Sequence, residues 1–483
     1  LHEFKAIDFD MKCKDIELNI EAGRPFAEDK LNRAPLAKNL TDICETLSES
    51  GAVLALDGEW GAGKTTFVRM WRQMLEDNSY RTIYFNAWNS DFQDDPFIAL
   101  MAELNNVFKT SEGFKDVVVS GAKIGLKMVG EIAKGVVKRT TGIDTDAIKS
   151  GIDEAVGLCY DKMSDYQNKK VGLLEFRDNL SEFVASENNE KPVFFFIDEL
   201  DRCNPHFAIK LLERVKHLFE VPNIIFVLAV NIDQLQYAVQ GFYGSSNIDG
   251  KQYLKRFIDI EYSLPAPNLE EYCKFMFGAY DFNSFFNHHQ RRSHHELYME
   301  GEMFETIATD IIVASNLNLR MTNKIFAYTR LALSGYSLDQ YVSPDLFFLL
   351  CYFKVTNRKL YDDIKEGQFS LQELLNQVEQ HLPSTIFKSD NRYFTEHNIA
   401  YALAGLIFKY NYSGVQGIPR DDSFKGKAVN DNPKDLVYPI TPKLISREKL
   451  YEALAYKEQR GHYNMYGLKS IFNKIDLIDR MRF

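Results

Sequence analysis

Apolar and polar positions along the chain fall into two regimes. Up to Pro267, short apolar runs alternate with stretches of helical periodicity. The runs are VLALD (53–57), RTIYFNAW (81–88), KPVFFFIDELD (191–201), NIIFVLAVN (223–231) and FIDIEYSLPAP (257–267). Each reads as a strand, most of them covered on both faces, the last closed by prolines. Between them, LNRAPLAKNLTDICETL (31–47) repeats Leu36, Leu40, Ile43 and Leu47 at helical spacing. The segments 64–77, 94–104, 171–184 and 206–219 read as further helices, with Pro96 behind acidic residues as helix-starting chemistry. Strands alternating with helices predict an α/β fold, a parallel sheet flanked by helices. After Pro267 the pattern is helical, broken by polar loops, of which 411–445 is the longest. The expected organisation is an α/β domain over 1–267 with a helical insertion at about 112–170, then an α-helical lid and C-terminal domain over 268–483.

The segment GEWGAGKT (58–65) fits GxxxxGK[ST] between a predicted strand and a predicted helix, the context this motif needs. Gly58, Gly61 and Gly63 are expected to let the backbone turn tightly and bring N–H groups to phosphate oxygens. The helix N-terminus adds positive partial charge. Lys64 supplies a mobile ammonium for the terminal phosphates, and the Thr65 hydroxyl suits Mg²⁺. The nucleotide-binding set is therefore Gly58, Glu59, Trp60, Gly61, Ala62, Gly63, Lys64, Thr65 and Thr66, with Lys64 also catalytic. A second element ends the run FFFID (194–198) in an acid. Asp198 is the candidate second metal ligand, and Glu199 the candidate general base for an attacking water. At the end of the next strand Asn231 is either a γ-phosphate sensor or a helix N-cap; Asp233 is the weaker bearer of the sensor role. No NKxD sequence follows, so ATP is preferred to GTP. The expected cofactors are ATP and Mg²⁺.

Four segments together resemble the KAP family of P-loop NTPases, a branch with AAA+-like and STAND-like features. They are EDKLNRAPLAKNL (28–40), the phosphate loop with Trp60 inside it, YFNAWNSDFQDDPFIAL (84–100) and FFFIDELDRCNP (194–205). The Asn-Ala-Trp segment is the most specific of them. The resemblance runs from about Ile16 to Pro267, and more weakly to about Leu333. It implies an ATPase module with a helical lid, in a family that includes bacterial phage-exclusion proteins and animal membrane scaffolds. It also implies two catalytic arginines. Arg256, with Lys255 as the weaker candidate, matches a basic residue that reaches a neighbouring subunit's nucleotide, and Arg320 matches a second sensor on a lid helix. A homo-oligomer and an effector protein partner are expected on this basis, with anti-phage defence as the setting. The open alternative is a scaffold or adaptor in which nucleotide is mainly structural.

Many family members carry transmembrane helices between the two motifs. Here 117–137 instead places Lys123, Lys127, Glu131 and Lys134 on one helical stripe, continued by Lys138, opposite an apolar face. Such a helix lies on an anionic membrane or packs on protein. Packing is the preferred expectation, since amphipathic helices are common in soluble proteins. A net charge of −11 argues against a surface built for nucleic acid, which stays an unsupported partner. Six cysteines without CxxC spacing read as reduced thiols, and no signal pattern precedes the fold, so a cytoplasmic location is expected. The cluster HHQRRSHH (288–295) reads as a solvated loop with Arg291 and Arg292 as anion contacts.

Overall fold

The computed structural model describes residues 19–480 apart from 93–94, 112, 130–161, 188–190, 388–392, 414–418, 430–431 and 461–466. The chain divides into two compact units, Leu18–Ala266 and Pro267–Phe483.

The first unit is a three-layer α/β/α sandwich. Its strands β1 (Ala52–Asp57), β2 (Thr82–Asn86), β3 (Val193–Asp198), β4 (Ile224–Val230) and β5 (Ile260–Ser263) form one parallel sheet in the order β2-β3-β4-β1-β5. Its helices are α1 (Ala34–Leu47), α2 (Lys64–Asp77), α3 (Pro96–Phe108), α4 (Phe114–Val129), α5 (Lys162–Glu187), α6 (Pro205–Arg214), α7 (Ile232–Tyr243) and α8 (Gly250–Leu254). Alternate strand residues face opposite ways. Leu54, Leu56, Phe194, Phe196 and Val227 pack with α1 and α2 around the buried Trp71. Val53, Ala55, Phe195, Ile197 and Phe226 pack with α3 to α7 on the other face. This two-sided burial is why the central strands read as unbroken apolar runs.

Several elements depart from the sequence reading. In α1 the buried residues are Ala37, Leu40, Thr41 and Cys44, while Ile43 is exposed, because Trp71 takes a hydrogen bond partner in Thr41 and draws that face inward. The strand β2 stops at Asn86, whose side chain accepts the N–H of Asn89 at 3.0 Å and turns the chain, leaving Trp88 outside the sheet and exposed. The insertion is not an appendage at its start. Phe114, Val117 and Val118 of α4 lie in the core, and a Cβ on Gly121 would approach the Met101 methyl to 2.7 Å, so the helix packs closely on α3 here. That half of the helix packs on protein. Of the side chains of the lysine stripe, none lies within the described residues.

In the second unit the helix Pro344–Thr356 is buried along nearly its whole length, packed by Glu300–Ser315, Leu319–Leu333, Arg358–Glu366 and Tyr393–Asn411. At 13 residues it is too short to cross a bilayer, and no helix among the described residues is long and apolar enough to do so. The stretch 411–445 contains a short antiparallel pair, Lys427–Val429 with Asn432–Val437. Its end is held by the buried Glu379, whose carboxylate accepts the N–H groups of Lys443, Leu444 and Ile445. The histidine-arginine cluster is likewise not a solvated loop. It forms two short helices, and Arg291 is fully buried, paired with Glu300 and donating to Leu338 O and Gln340 O. A charge with those partners fixes the 338–343 turn and is not offered to an anion in solution.

Candidate functional site

The order β2-β3-β4-β1-β5 puts β4 between the strand that carries the phosphate loop and the strand that carries Asp198. The register aligns Asn86 with Asp198, Asp198 with Ala229, and Asp57 with Val230 and Ser263, so the carboxyl ends of all five strands meet along one edge. Ligands bind at such an edge where the strand order reverses.

The loop between β1 and α2 is shaped by glycine at two places. Gly61 and Gly63 have φ of 83° and 82°, a conformation costly to other residues. Gly58 has no such need. A Cβ there would meet Leu264 at 3.5 Å and Lys64 Cδ at 3.6 Å, both ordinary contacts, so the turn argument holds at Gly61 and Gly63 only. The first intrahelical bond of α2 runs from Phe67 N to Gly63 O. The amides of Gly63, Lys64, Thr65 and Thr66 therefore precede the helix ladder and point out of its start, as an anion site requires. Glu59 and Trp60 are exposed at the loop tip, where Ala62 N donates back to Glu59 O. The Trp60 indole donates to Asp201 Oδ2 at 2.6 Å and ties the loop to the turn after β3.

Lys64 is largely buried and folds back on the loop, donating to Gly58 O and, at 3.1 Å, to Glu59 O. Burial lowers its pKa, against the pull of Asp201, Asp198 and Asp57. The Asp198 carboxylate accepts the Tyr84 hydroxyl at 3.0 Å and Glu199 N at 2.9 Å, and the nearby Thr65 hydroxyl also favours its charged form. Its pKa is nonetheless raised, first because it is buried. The fold thus brings the two candidate metal ligands, Thr65 and Asp198, near each other across the end of β4. A hydroxyl and a carboxylate oxygen side by side are hard donors that suit Mg²⁺ bound jointly with phosphates. No cluster of three acidic, His or Cys ligands exists among the described residues.

Glu199 follows in the left-handed region, with φ 62° and ψ 24°. For a residue with a side chain this is strained backbone, of the kind that collects at functional sites. Two partners hold its carboxylate: Asn86 Nδ2 donates to Oε2 at 3.0 Å, and Arg202 pairs with Oε1 at 2.5 Å. Arg202 in turn lies over the Trp88 ring at 5.7 Å. Sequence reasoning missed Asn86 as a site residue. The signal was present in the Asn-Ala-Trp segment, but its meaning depends on the β2–β3 register. Replacing Asn86 with alanine is expected to lower the turnover number of any hydrolysis at this site roughly tenfold with KM little changed, a charge-assisted hydrogen bond being worth about 1.5 kcal/mol. Steady-state kinetics measures both.

Asn231 sits at the N-cap of α7, its side chain accepting Gln234 N at 3.1 Å, and is nearly buried at the same edge. Asp57 Oδ1 accepts Ile232 N at 2.8 Å and locks β1 to the start of α7. Asp233 is exposed and paired with Lys251 at 2.5 Å. Arg256 is not brought to the loop. It is exposed over the Tyr253 ring, shortly before β5 begins and near Asp259, which bonds to the start of β1. Lys255 beside it is also exposed. Arg320 lies in the second unit, exposed in the first turn of the helix Leu319–Leu333.

The model of the KAP family P-loop domain matches residues 33–331. No curated protein sequence matches the chain. Among solved structures, one match is the ORC2 protein of Aeropyrum pernix in its ADPNP–ADP complexes. The identity is 14% and the TM-score 0.31, over 89% of this chain and 95% of that one.

Proposed function

This chain belongs to the KAP family of P-loop domains, and we propose that it binds Mg²⁺-ATP at the strand tips of its first unit and hydrolyses it to drive assembly or a conformational switch. The observation that supports this reading is the placement of Asp198 at the strand edge beside the phosphate loop, with Lys64 and Thr65 close to it and Glu199 next in the chain. The amides of residues 63–66 and the Lys64 ammonium would hold the phosphates. Thr65 and Asp198 would hold the metal, which neutralises charge on the phosphate oxygens when bound. Glu199 would accept a proton from the attacking water. Asn231 uses Oδ1 as a helix cap, and its Nδ2 would serve as the γ-phosphate sensor.

Arg256 faces solvent away from its own loop, so any contact it makes with nucleotide would be with that of a second copy. A homo-oligomer, with Arg320 as a further sensor in the helical unit, belongs to this reading. So does an effector protein, with a role in anti-phage defence resting on family resemblance alone. Phosphate release and thermal unfolding, each measured with and without Mg²⁺-ATP, test it. Turnover that needs Mg²⁺ is expected, with a stabilisation of about 2.7 kcal/mol at a hundredfold excess of ATP over its Kd. Stabilisation without turnover would instead favour the adaptor with structural nucleotide, and the absence of both would remove the reading.

The buried carboxylate adds a pH dependence. Because burial holds the folded pKa of Asp198 above its unfolded value, the apoprotein loses stability as pH rises from the ordinary aspartate range through that raised value. Metal affinity runs the other way, since only the ionised form is a ligand. Mg²⁺ affinity of the ATP-loaded protein is expected to weaken on acidification at a higher pH than a free aspartate would require. Calorimetric titrations on the acidic side of neutral should show a steeper loss in the wild type than in Asp198→Asn, which keeps only the pH dependence of the nucleotide's own phosphates.

A further inference from the structure

Arg33 stands at the N-cap of α1, ends the segment 19–33 and is 5% exposed. Its guanidinium donates to Ala62 O at 2.9 Å and to Gly63 O at 3.2 Å. The segment before it is itself braced. Asp29 accepts the N–H of Leu31 at 2.9 Å and that of Arg33, and Gly23 N donates to Asp77 at the far end of α2 at 2.8 Å. One short stretch of chain thus grips both ends of the helix that follows the phosphate loop.

The geometry of the peptide group gives this grip a consequence. In a planar trans peptide the C=O and the next N–H point in opposite directions. Fixing Ala62 O and Gly63 O behind the loop therefore aims the amides of Gly63 and Lys64 to the front, where the phosphates would lie. A single planar fork suits two adjacent carbonyls as no other side chain does. The guanidinium is buried, and its hydrogen bonds to the loop go to these two oxygens. Burial lowers its pKa to about 10, with Asp29 opposing, so it keeps its charge at neutral pH.

We propose that Arg33 is a positioning residue for phosphate binding, presetting the loop amides from behind. This rests on the reading of the loop as a nucleotide site. The test is titration of a fluorescent ATP analogue with Mg²⁺ against the wild type, Arg33→Met and Arg33→Lys. Arg33→Met is expected to raise Kd roughly 10- to 100-fold, the range for lost charge-assisted hydrogen bonds. Arg33→Lys should recover part of the affinity, since an ammonium keeps the charge and loses the fork. Loss of folded protein alone would lower the amplitude of the titration and leave Kd as it was. A Kd for Arg33→Met within twofold of the wild type overturns the proposal. Where Arg33→Met yields no folded protein, Arg33→Lys decides: a rise of about threefold or more is expected, and a wild-type Kd overturns it. A wild type that binds no analogue removes the nucleotide reading itself, and this inference with it, an outcome distinct from equal affinities.

Discussion

Glu199→Gln will reduce ATP turnover by roughly 10²- to 10⁴-fold, the range for loss of a general base, while ATP stays bound. Glutamine has almost the shape of glutamate, keeps a carbonyl oxygen for Asn86, and cannot accept a proton from water at neutral pH. The local backbone is already committed to this residue, since Glu199 sits at φ 62° between the buried Asp198 and Leu200. The substitution leaves that conformation alone and changes only the charge and the basicity. Its one structural cost is the Arg202 ion pair at 2.5 Å, a partly exposed contact of modest worth. Single-turnover measurements with labelled ATP separate binding from chemistry. Retained hydrolysis within a few-fold of the wild type would remove Glu199 from the role of base.

Lys64→Ala will weaken ATP binding roughly 10- to 100-fold and take hydrolysis with it, one charge-assisted contact being worth about 1.5–3 kcal/mol. The ammonium rests on Gly58 O and Glu59 O, so the loop itself holds it over the cradle. Lys64 is buried, so the fold carries a desolvated cation at this point, which a polyphosphate would stabilise. Alanine removes the cation and leaves Asp198, Asp201 and Asp57 facing the phosphates without it. Equilibrium binding and steady-state turnover check both halves of the expectation. Unchanged affinity would mean that the triphosphate lies elsewhere.

The parts of this site that could be read from sequence are those in which a local pattern carries the chemistry. The phosphate loop is such a pattern, because its glycines, lysine and threonine act on one ligand from one turn. The parallel sheet was legible too, because two-sided burial leaves unbroken apolar runs such as VFFFID. What escaped reading depends on pairing across the chain. Arg33 meets Ala62 and Gly63, and Asn86 meets Glu199, only once strand order and register are fixed. Thr65 and Asp198 read as one metal site despite the long span between them, but that β4 lies between β1 and β3 was not legible. Arg291 misled for a related reason. Flanked by histidines and beside Arg292 it looks solvated, yet its partner Glu300, at the start of the helix Glu300–Ser315, closes it off. Ile43 shows the limit of periodicity itself, since spacing identified the helix and Trp71 chose which face turned inward.

On this reading Thr65 and Asp198 share the metal of a bound nucleotide. The direct measurement is a crystal structure with Mn²⁺ and a non-hydrolysable ATP analogue, with the metal located by anomalous scattering. A single peak is expected within coordination distance of Thr65 Oγ1 and the triphosphate, with Asp198 bonded to it directly or through water. A triphosphate held away from the amides of residues 63–66, or a metal remote from Asp198, would contradict the account.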